Sequence, residues 1–244
     1  MAKTIEYLPN GLTLRQDDRY FKLSQDSVLL ASFAQPRKRD RVLDLGCGTG
    51  AISLLLYRSD LQIIGLELQE GALALFKQSI ADNHVPIQTI QGDLRDIRSL
   101  VPHGSIDYVV CNPPYFNGQR GRSAADHNKR LARQDSSCTV EDIAAAVAYV
   151  LHTGGKAAFI FRPERLCVLL NALYQKKLVA KRLRFIHQNV TAPPSAVLVE
   201  CRRDGSLEGL QILPPLFVES EEYRQIYRND NNQTEAIKFP PKMK

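Results

Sequence analysis

The chain has 244 residues, 44% of them hydrophobic and 24% charged, enough for one large α/β domain or one domain with a small appendage. Its net charge of +6 weakly favours a polyanionic partner. No stretch reaches ~18 consecutive apolar residues, and the first residues lack an apolar core, which argues against a membrane span and a secretion signal. The five cysteines are scattered without paired spacing, so we expect reduced thiols in a cytoplasmic protein, with neither a disulfide framework nor a metal site.

The N-terminal part is predicted to be an arm followed by a helix. Asn10-Gly11 is a hairpin signal, and residues 13–23 are rich in charged and aromatic side chains. Such an arm can cover a cofactor, contact a partner or pack on the core as an extra edge hairpin. Ser24 then precedes the apolar residues 28–30 in the pattern of a capped helix, and residues 36–40 form a polar connector.

From Arg41 onward the chain alternates strand, loop and helix, which predicts a parallel sheet covered by helices. A short strand at residues 42–45 leads into a loop with glycines at every second position, followed by a helix at residues 51–57. Glycines allow tight turns and let the backbone approach a ligand without a Cβ in the way. The third glycine comes one residue too early for a dinucleotide loop, which argues against a pyrophosphate site.

Two carboxylates follow the next two predicted strands. Glu67 ends the strand at residues 62–66, at the separation from the glycine loop at which an acidic residue reaches a ribose hydroxyl pair. A helix is predicted at residues 70–83. Asp93 then follows the strand at residues 87–90, where it would either accept from an adenine amino group or cap a helix.

The next strand, residues 106–111, ends in Asn112-Pro113-Pro114-Tyr115. The prolines stop the strand, so Asn112 is presented at the carboxyl edge of the sheet, where open α/β folds bind ligands. The Asn112 side chain and the Pro113 carbonyl can each accept one hydrogen of a planar amino group, while Tyr115 stacks on its ring. Positioning and electrostatics would activate this poor nucleophile without a metal or a covalent intermediate. The alternative is a simple Pro-Pro turn.

Residues 116–138 form a long polar segment, which is uncommon in a compact domain unless it is functional. Its cations lie next to the proposed chemistry, which indicates contacts with substrate phosphates, although a solvated loop is the alternative reading. The candidate phosphate-binding residues are Arg120, Arg122, Lys129, Arg130 and Arg133.

The remaining elements complete the pattern. A helix opening at Thr139 is predicted to end at Thr153-Gly154-Gly155, and it is followed by a strand at residues 156–161 and a helix starting near Arg162. Two closely spaced apolar strands, residues 182–187 and 196–202, are expected to be antiparallel. Residues 214–218 are expected to pack back across the domain.

These motifs, in this order, resemble the Rossmann-like class I methyltransferases that use S-adenosylmethionine, and Asn-Pro-Pro-Tyr resembles the signature of those that methylate exocyclic or amide nitrogens. The segments around residues 24–31, 162–166, 182–184 and 214–216 are further similar to bacterial enzymes that modify N6 of the adenine beside the anticodon of valine tRNA. The resemblance implies a mainly parallel seven-stranded sheet with an antiparallel last strand and helices on both faces. It divides the chain into an N-terminal arm and capping helix (1–40), a methyltransferase domain (41–228) and a flexible tail (229–244).

The resemblance also assigns roles to individual residues. Asn112, Pro113 and Tyr115 would hold the target amine. The cofactor would contact Gln25, Asp44, Gly46, Cys47, Gly48, Gly50, Glu67, Leu68, Asp93, Leu94 and Asn112.

Three other functions remain open from the sequence alone. The same signature occurs in enzymes that methylate a glutamine amide of a protein release factor, but these usually carry a helical domain before the glycine loop, where this chain has about forty residues. Guanine N2 methylation of ribosomal RNA more often has phenylalanine in place of Tyr115. A cofactor-binding RNA chaperone without activity is the third. The sequence does not indicate the oligomeric state.

Overall fold

The computed structural model describes residues 3–113 and 138–227, which form a two-stranded hairpin and a nine-stranded sheet with helices on both faces. The hairpin consists of β1 (Lys3–Tyr7) and β2 (Thr13–Asp17). The sheet contains β3 (Arg41–Leu45), β4 (Gln62–Glu67), β5 (Gln88–Gln91), β6 (Ile106–Cys111), β7 (Leu151–Phe161), β8 (Leu178–His187), β9 (Pro194–Arg203), β10 (Gln211–Ile212) and β11 (Leu216–Phe217). The helices are α1 (Gln25–Phe33), α2 (Ala51–Leu56), α3 (Glu70–Asp82), α4 (Ile97–Leu100), α5 (Val140–Val150), α6 (Leu166–Gln175) and α7 (Glu221–Tyr227).

The strand order confirms the predicted class I architecture. The order is β10–β8–β9–β7–β6–β3–β4–β5, and β11 also pairs with β8. Strands β3 to β7 are parallel, whereas β9 is antiparallel to both of its neighbours. The seven long strands therefore form the expected sheet with an antiparallel last strand. Two short strands that the sequence analysis did not predict extend it beyond β8.

Alternating side chains on the strands separate two apolar cores, one on each face of the sheet. On β3, for example, Val42 belongs to one core and Leu43 to the other. Helices α1, α2, α3 and α7 contribute to the first core, while α4, α5 and α6 contribute to the second. Both faces of the central strands are thus buried, as expected for a parallel sheet.

The N-terminal arm is a hairpin, as Asn10-Gly11 indicates, but it does not add an edge strand to the large sheet. Its two strands pair only with each other among the described residues. The hairpin packs on α3 instead: Leu14 is fully buried, the Thr13 amide donates to the Asn83 side chain at 2.8 Å, and Arg15 pairs with Asp82. The arm is therefore fixed to the domain surface at the side of α3.

The predicted end of the helix before β7 was wrong. The helix ends at Val150, and Leu151 already belongs to β7, with its amide donating to the Val147 carbonyl. Leu151 is fully buried and pairs with Ile106, so burial favours an extended strand here over another helical turn. The glycines expected to cap the helix lie inside the irregular first part of β7, where Gly154 has a φ of +87°.

The structure also shows the state of the cysteines and the character of the helices. All five cysteines are free thiols; Cys47, Cys111 and Cys201 are buried, whereas Cys167 is exposed. Within residues 3–113 and 138–227, no helix has both the length and the apolar character that crossing a membrane requires.

Candidate active site

A cavity of about 280 Å³ lies at the carboxyl edge of the sheet, where β3, β4 and β6 end. It brings together most of the residues predicted to contact the cofactor or the target amine, although they come from separate parts of the chain. The predicted residues that line it are Gly46, Cys47, Gly48, Glu67, Leu68, Asp93, Leu94, Asn112 and Pro113. Gln25, Asp44 and Gly50 do not line it.

The glycine loop forms the floor of the cavity and is tied to the neighbouring strand. The amides of Gly46 and Cys47 both donate to the Leu66 carbonyl, at 2.9 and 3.0 Å. Gly46, Gly48 and Gly50 have φ values of +77°, +57° and +87°, which only glycine adopts without strain. A Cβ on either of the first two would project into open space, whereas one on Gly50 would lie 2.0 Å from the Phe76 ring. The first two glycines thus leave room for a ligand.

Glu67 links the end of β4 to this loop. One of its carboxylate oxygens accepts from the Gly48 amide and the other from the Gln69 amide, both at 2.8 Å. Burial raises the pKa of Glu67, although these backbone hydrogen bonds oppose the effect. A carboxylate offers about four acceptor positions, so Glu67 can still accept hydrogen bonds from a pair of ligand hydroxyls.

Asp44 lies behind the loop and does not touch the cavity. Its Oδ2 accepts from the Ser53 amide at 3.0 Å and from the Ser53 hydroxyl at 2.7 Å. Its Oδ1 is buried without a hydrogen-bond partner in the described part of the chain. Burial and, to a smaller extent, the charge of Glu67 raise the pKa of Asp44 to about 7, against the opposing hydrogen bonds from Ser53. A cation bound at the loop would compensate this carboxylate.

The raised pKa of Asp44 should make the stability of the protein without cofactor depend on pH. Because its pKa in the folded state, about 7, exceeds the ordinary value of 3.8, the folded state binds more protons than the unfolded state between these values. The free energy of unfolding should therefore fall as the pH rises from about 4 to about 7, by on the order of 4 kcal/mol from Asp44. Urea unfolding at several pH values measures this slope.

The variant Asp44→Asn provides the control for this pH dependence. An amide does not titrate, so the variant should lose most of the decrease between pH 4 and pH 7 and keep only the smaller part due to Glu67, whose pKa is also raised. Equal slopes in the variant and the wild-type protein would contradict the assignment to Asp44.

Asn112 and Pro113 form the wall where β6 ends. The strand pairs with β3 on one side and β7 on the other, up to the contact between Cys111 and Phe159. No hydrogen bond joins the Asn112 side chain to another residue in the described ranges, so its oxygen is available to a substrate. Tyr115 and the five basic candidates from Arg120 to Arg133 lie outside the described residues, and their roles stay predictions.

Asp93 caps a short helix, which is one of the two roles predicted for it from the sequence. It precedes the short 3₁₀ turn Leu94–Asp96 and accepts from the Arg95 amide at 2.9 Å. It also forms an ion pair with the Arg95 side chain, whose hydrogen bonds lower the pKa of Asp93. Asp93 lines the cavity as an ionised carboxylate, and its contact with an adenine ring stays a prediction.

The remaining wall comes from the N-terminal part and was not assigned from the sequence. Tyr20, Phe21 and Lys22 line the cavity, although 61% of Phe21 is exposed. A Cβ on Gly71 would lie 1.7 Å from the Tyr20 hydroxyl, so this strap packs directly on the start of α3. The aromatic and charged composition of residues 13–23 was the sequence signal for this part of the wall. The position of these residues agrees with the prediction that the arm can cover a cofactor.

Helix α1 contributes Ser24, Asp26 and Ser27 to the cavity instead of the predicted Gln25. Asp26 is buried, with 7% exposure. The main chain of its neighbour, Gln25, is anchored by α7. Its carbonyl accepts from the Tyr227 hydroxyl of α7 at 3.4 Å. The sequence showed the helix and its cap, but the side chain that turns inward depends on this packing.

The arrangement fits S-adenosylmethionine, the cofactor that the resemblance implies. Glu67 offers a buried carboxylate for the ribose hydroxyls, and Gly46 and Gly48 leave space along the loop. The unpaired Oδ1 of Asp44 and the buried carboxylate of Asp26 provide negative charge for a cationic ligand. The site therefore suits an adenosyl ligand that carries positive charge.

Comparisons with known proteins agree with this reading. The tRNA1(Val) (adenine(37)-N6)-methyltransferase of Shewanella sp. (strain MR-4) is 29% identical over 161 residues, covering 62% of this chain and 67% of that protein. Its counterpart in Aeromonas salmonicida (strain A449) is 30% identical, covering 65% and 71%. The crystal structure of Atu636 from Agrobacterium tumefaciens, described as a predicted O-methyltransferase, has a TM-score of 0.64 at 20% identity, covering 80% and 88%.

The sequence profile of the methyltransferase small domain matches residues 21–163, which include the strap, the glycine loop and the residues that end β4 and β6. This match covers more than half of the chain, and it contains nearly all of the cavity wall. The chain therefore belongs to the methyltransferase small domain family and is an S-adenosylmethionine-dependent methyltransferase of the class I fold.

Proposed function

We propose that the chain methylates N6 of an adenine in tRNA, namely the adenine beside the anticodon of valine tRNA. The observation that carries this proposal is the position of Asn112 and Pro113 at the cavity, next to the glycine loop. Relatives that bear the name tRNA1(Val) (adenine(37)-N6)-methyltransferase support the choice of substrate. The net charge of +6 agrees with a nucleic-acid partner.

The chemistry of the site follows from its acceptors. The exocyclic amine of adenine is a weak nucleophile, because its lone pair is delocalised into the ring. The Asn112 amide oxygen and the Pro113 carbonyl would each accept one N–H, which directs the lone pair towards the cavity. When bound, S-adenosylmethionine supplies an electrophilic methyl group on a sulfonium. An unpaired loop base is the easiest to flip into such a site.

Negative charge close to the site would also favour binding of the cationic cofactor. Asp26 and Glu67 line the cavity, and both are largely buried. Their carboxylates would attract a cationic cofactor more strongly than its neutral product, which favours the exchange of product for fresh cofactor. Hydrogen bonds from Gly48 and Gln69 keep the Glu67 carboxylate in a fixed position for this role.

The purified protein should transfer labelled methyl groups to valine tRNA that lacks its natural modifications, and nucleoside mass spectrometry should find N6-methyladenosine. Parallel reactions should contain a protein release factor and ribosomal RNA, because glutamine and guanine are the alternative acceptors. A tRNA in which guanosine replaces the target adenosine is the matched control and should accept no methyl group. Methylglutamine or N2-methylguanosine as the main product would refute the proposal.

A further inference from the structure

The edge of the sheet opposite the cavity carries a basic surface that the proposed chemistry does not use. It consists of Arg37, Lys38 and Arg39, which connect α1 to β3, and Arg202 near the end of β9; we call it the amino-edge surface. All four side chains are exposed. None of them has an ion-pair partner in residues 3–113 and 138–227.

A hydrogen-bonded network joins the connector to the middle of the sheet. The Gln35 amide donates to the Tyr108 hydroxyl at 3.2 Å, and that hydroxyl donates to Glu200 at 2.7 Å. Glu200 is 1% exposed and accepts from both Lys156 and Arg182 at 3.2 Å. Two cations therefore surround one carboxylate.

Strand pairing places Arg202 next to this network. Lys156 lies opposite Arg202 in the pairing of β7 with β9, so their side chains project from the same face of the sheet. The network starts at Gln35, two residues before Arg37, so the connector and Arg202 lie near its two ends.

The nearby acidic residues do not neutralise this surface. Asp60 pairs with Arg58 at 3.1 Å, and Asp107 contacts His152 at 3.0 Å. Asp40 accepts from the Arg37 amide at 2.7 Å, and the Glu200 charge is shared by two half-buried cations. The exposed cations of the surface thus keep their positive potential.

The connector also holds its cations in a defined shape. The Asp40 amide donates back to the Arg37 carbonyl at 3.1 Å, which closes the turn. Arg39 has a φ of +70°, and its amide donates to the Asp60 carbonyl at 2.7 Å. A backbone that is already ordered loses less entropy when its side chains bind a ligand.

We propose that the amino-edge surface binds backbone phosphates of the tRNA arm that adjoins the methylated loop, an inference that rests on the proposed function. From residue 106 to residue 112 the sheet spans about 20 Å, at ~3.3 Å per residue. A nucleic-acid duplex of that length carries on the order of 12 phosphate charges. A helical arm whose loop reaches the cavity is therefore long enough to reach the opposite edge.

The composition of the surface favours RNA over a protein or a membrane. The large apolar side chains that are exposed in the described residues lie on the hairpin, around the cavity, on α6, on β10 and in later loops, and none lies in the connector that carries Arg37, Lys38 and Arg39. Protein interfaces usually centre on buried aromatic or apolar anchors, and membrane binding needs apolar side chains that insert. A connector with exposed arginine and lysine and no exposed large apolar side chain matches a phosphate backbone.

The test uses the double variant Arg37→Glu/Lys38→Glu and the milder Arg37→Gln/Lys38→Gln, both at exposed positions. The control Lys77→Glu/Lys176→Glu makes the same charge change at exposed residues of α3 and just after α6. Each protein is titrated with unmodified valine tRNA at several salt concentrations. Thermal unfolding, the Kd for S-adenosylhomocysteine and the kcat at saturating tRNA are measured in parallel.

The reversal should weaken tRNA binding at ~0.1 M salt by on the order of tenfold or more and reduce the salt slope by about 1.5, with a smaller effect in the glutamine variant. The kcat, the Kd for S-adenosylhomocysteine and the unfolding temperature should match those of the control. Binding and slope equal to those of the control would overturn the proposal.

Activity of the wild-type protein separates the two proposals. If the wild-type protein leaves tRNA unmethylated but the reversal still weakens tRNA binding, the surface stands and the proposed function fails. If it methylates tRNA and the reversal changes neither affinity nor slope, the proposed function stands and the surface fails.

Discussion

Replacing Asn112 by alanine should lower kcat by about 10²- to 10³-fold, the usual loss when one preorganised polar contact to the reacting group is removed. The side chain lies at the cavity, has no hydrogen-bond partner in the described residues and follows a strand buried on both faces. We therefore expect the backbone and the unfolding temperature to stay unchanged. Methyl transfer to tRNA with both substrates saturating measures the effect.

Two further measurements test whether the fall in kcat comes from the lost contact with the target amine. The Kd for S-adenosylhomocysteine should stay within about threefold of the wild-type value, because Glu67 and the glycine loop remain intact. The variant Asn112→Asp keeps an acceptor oxygen at the same place, so it should retain more activity than the alanine variant. A kcat for Asn112→Ala within a few-fold of wild type would remove Asn112 from the chemistry.

Adding one methyl group should mainly reduce stability at Gly50 and mainly reduce cofactor affinity at Gly48. At Gly50 the new Cβ would lie 2.0 Å from Phe76, a fully buried ring that cannot move away, and the φ of +87° adds backbone strain. Gly50→Ala should therefore destabilise the fold by about 2 to 5 kcal/mol. Chemical unfolding of the protein without cofactor measures this loss.

Gly48→Ala is the matched partner of that variant. Its Cβ meets nothing within 4 Å, so only the strain of a φ of +57° remains, about 1 to 2 kcal/mol. The methyl group would, however, enter the space at the cavity floor, and the affinity for S-adenosylhomocysteine should fall about tenfold or more. Titration calorimetry measures it. Equal stability losses, or unchanged affinity in Gly48→Ala, would contradict the division of roles between the two glycines.

The glycine loop shows which features a local sequence pattern can predict and which it cannot. A short strand, alternating glycines and a helix predicted the turn and its position at the edge of the sheet, because these depend on neighbouring residues alone. The reason for the third glycine was not visible, since Phe76 comes from α3 and meets Gly50 only after α3 packs on the sheet. The residues were thus predictable, but their separate roles were not.

Predictions from the sequence were wrong or incomplete where contacts between residues far apart in the chain determine the local structure. The pair Gly154-Gly155 matched a helix end, yet the burial of Leu151 against β6 extends the strand instead. Asp93 matched two roles; it forms the cap through the Arg95 amide, and its contact with adenine stays a prediction. Tyr20 and Phe21 had no motif, because the strap that carries them is placed by its packing against α3.

The contact between α7 and α1 has a consequence for biosynthesis. The Tyr227 hydroxyl, which itself accepts from Tyr223 at 3.1 Å, holds the carbonyl of Gln25 across 202 positions of the chain. Closing so long a loop has an entropic cost that only the finished fold recovers. On the ribosome, a nascent chain that already contains every cofactor-binding residue would still lack the support behind α1. Tight cofactor binding would then begin only after residue 227 has left the exit tunnel.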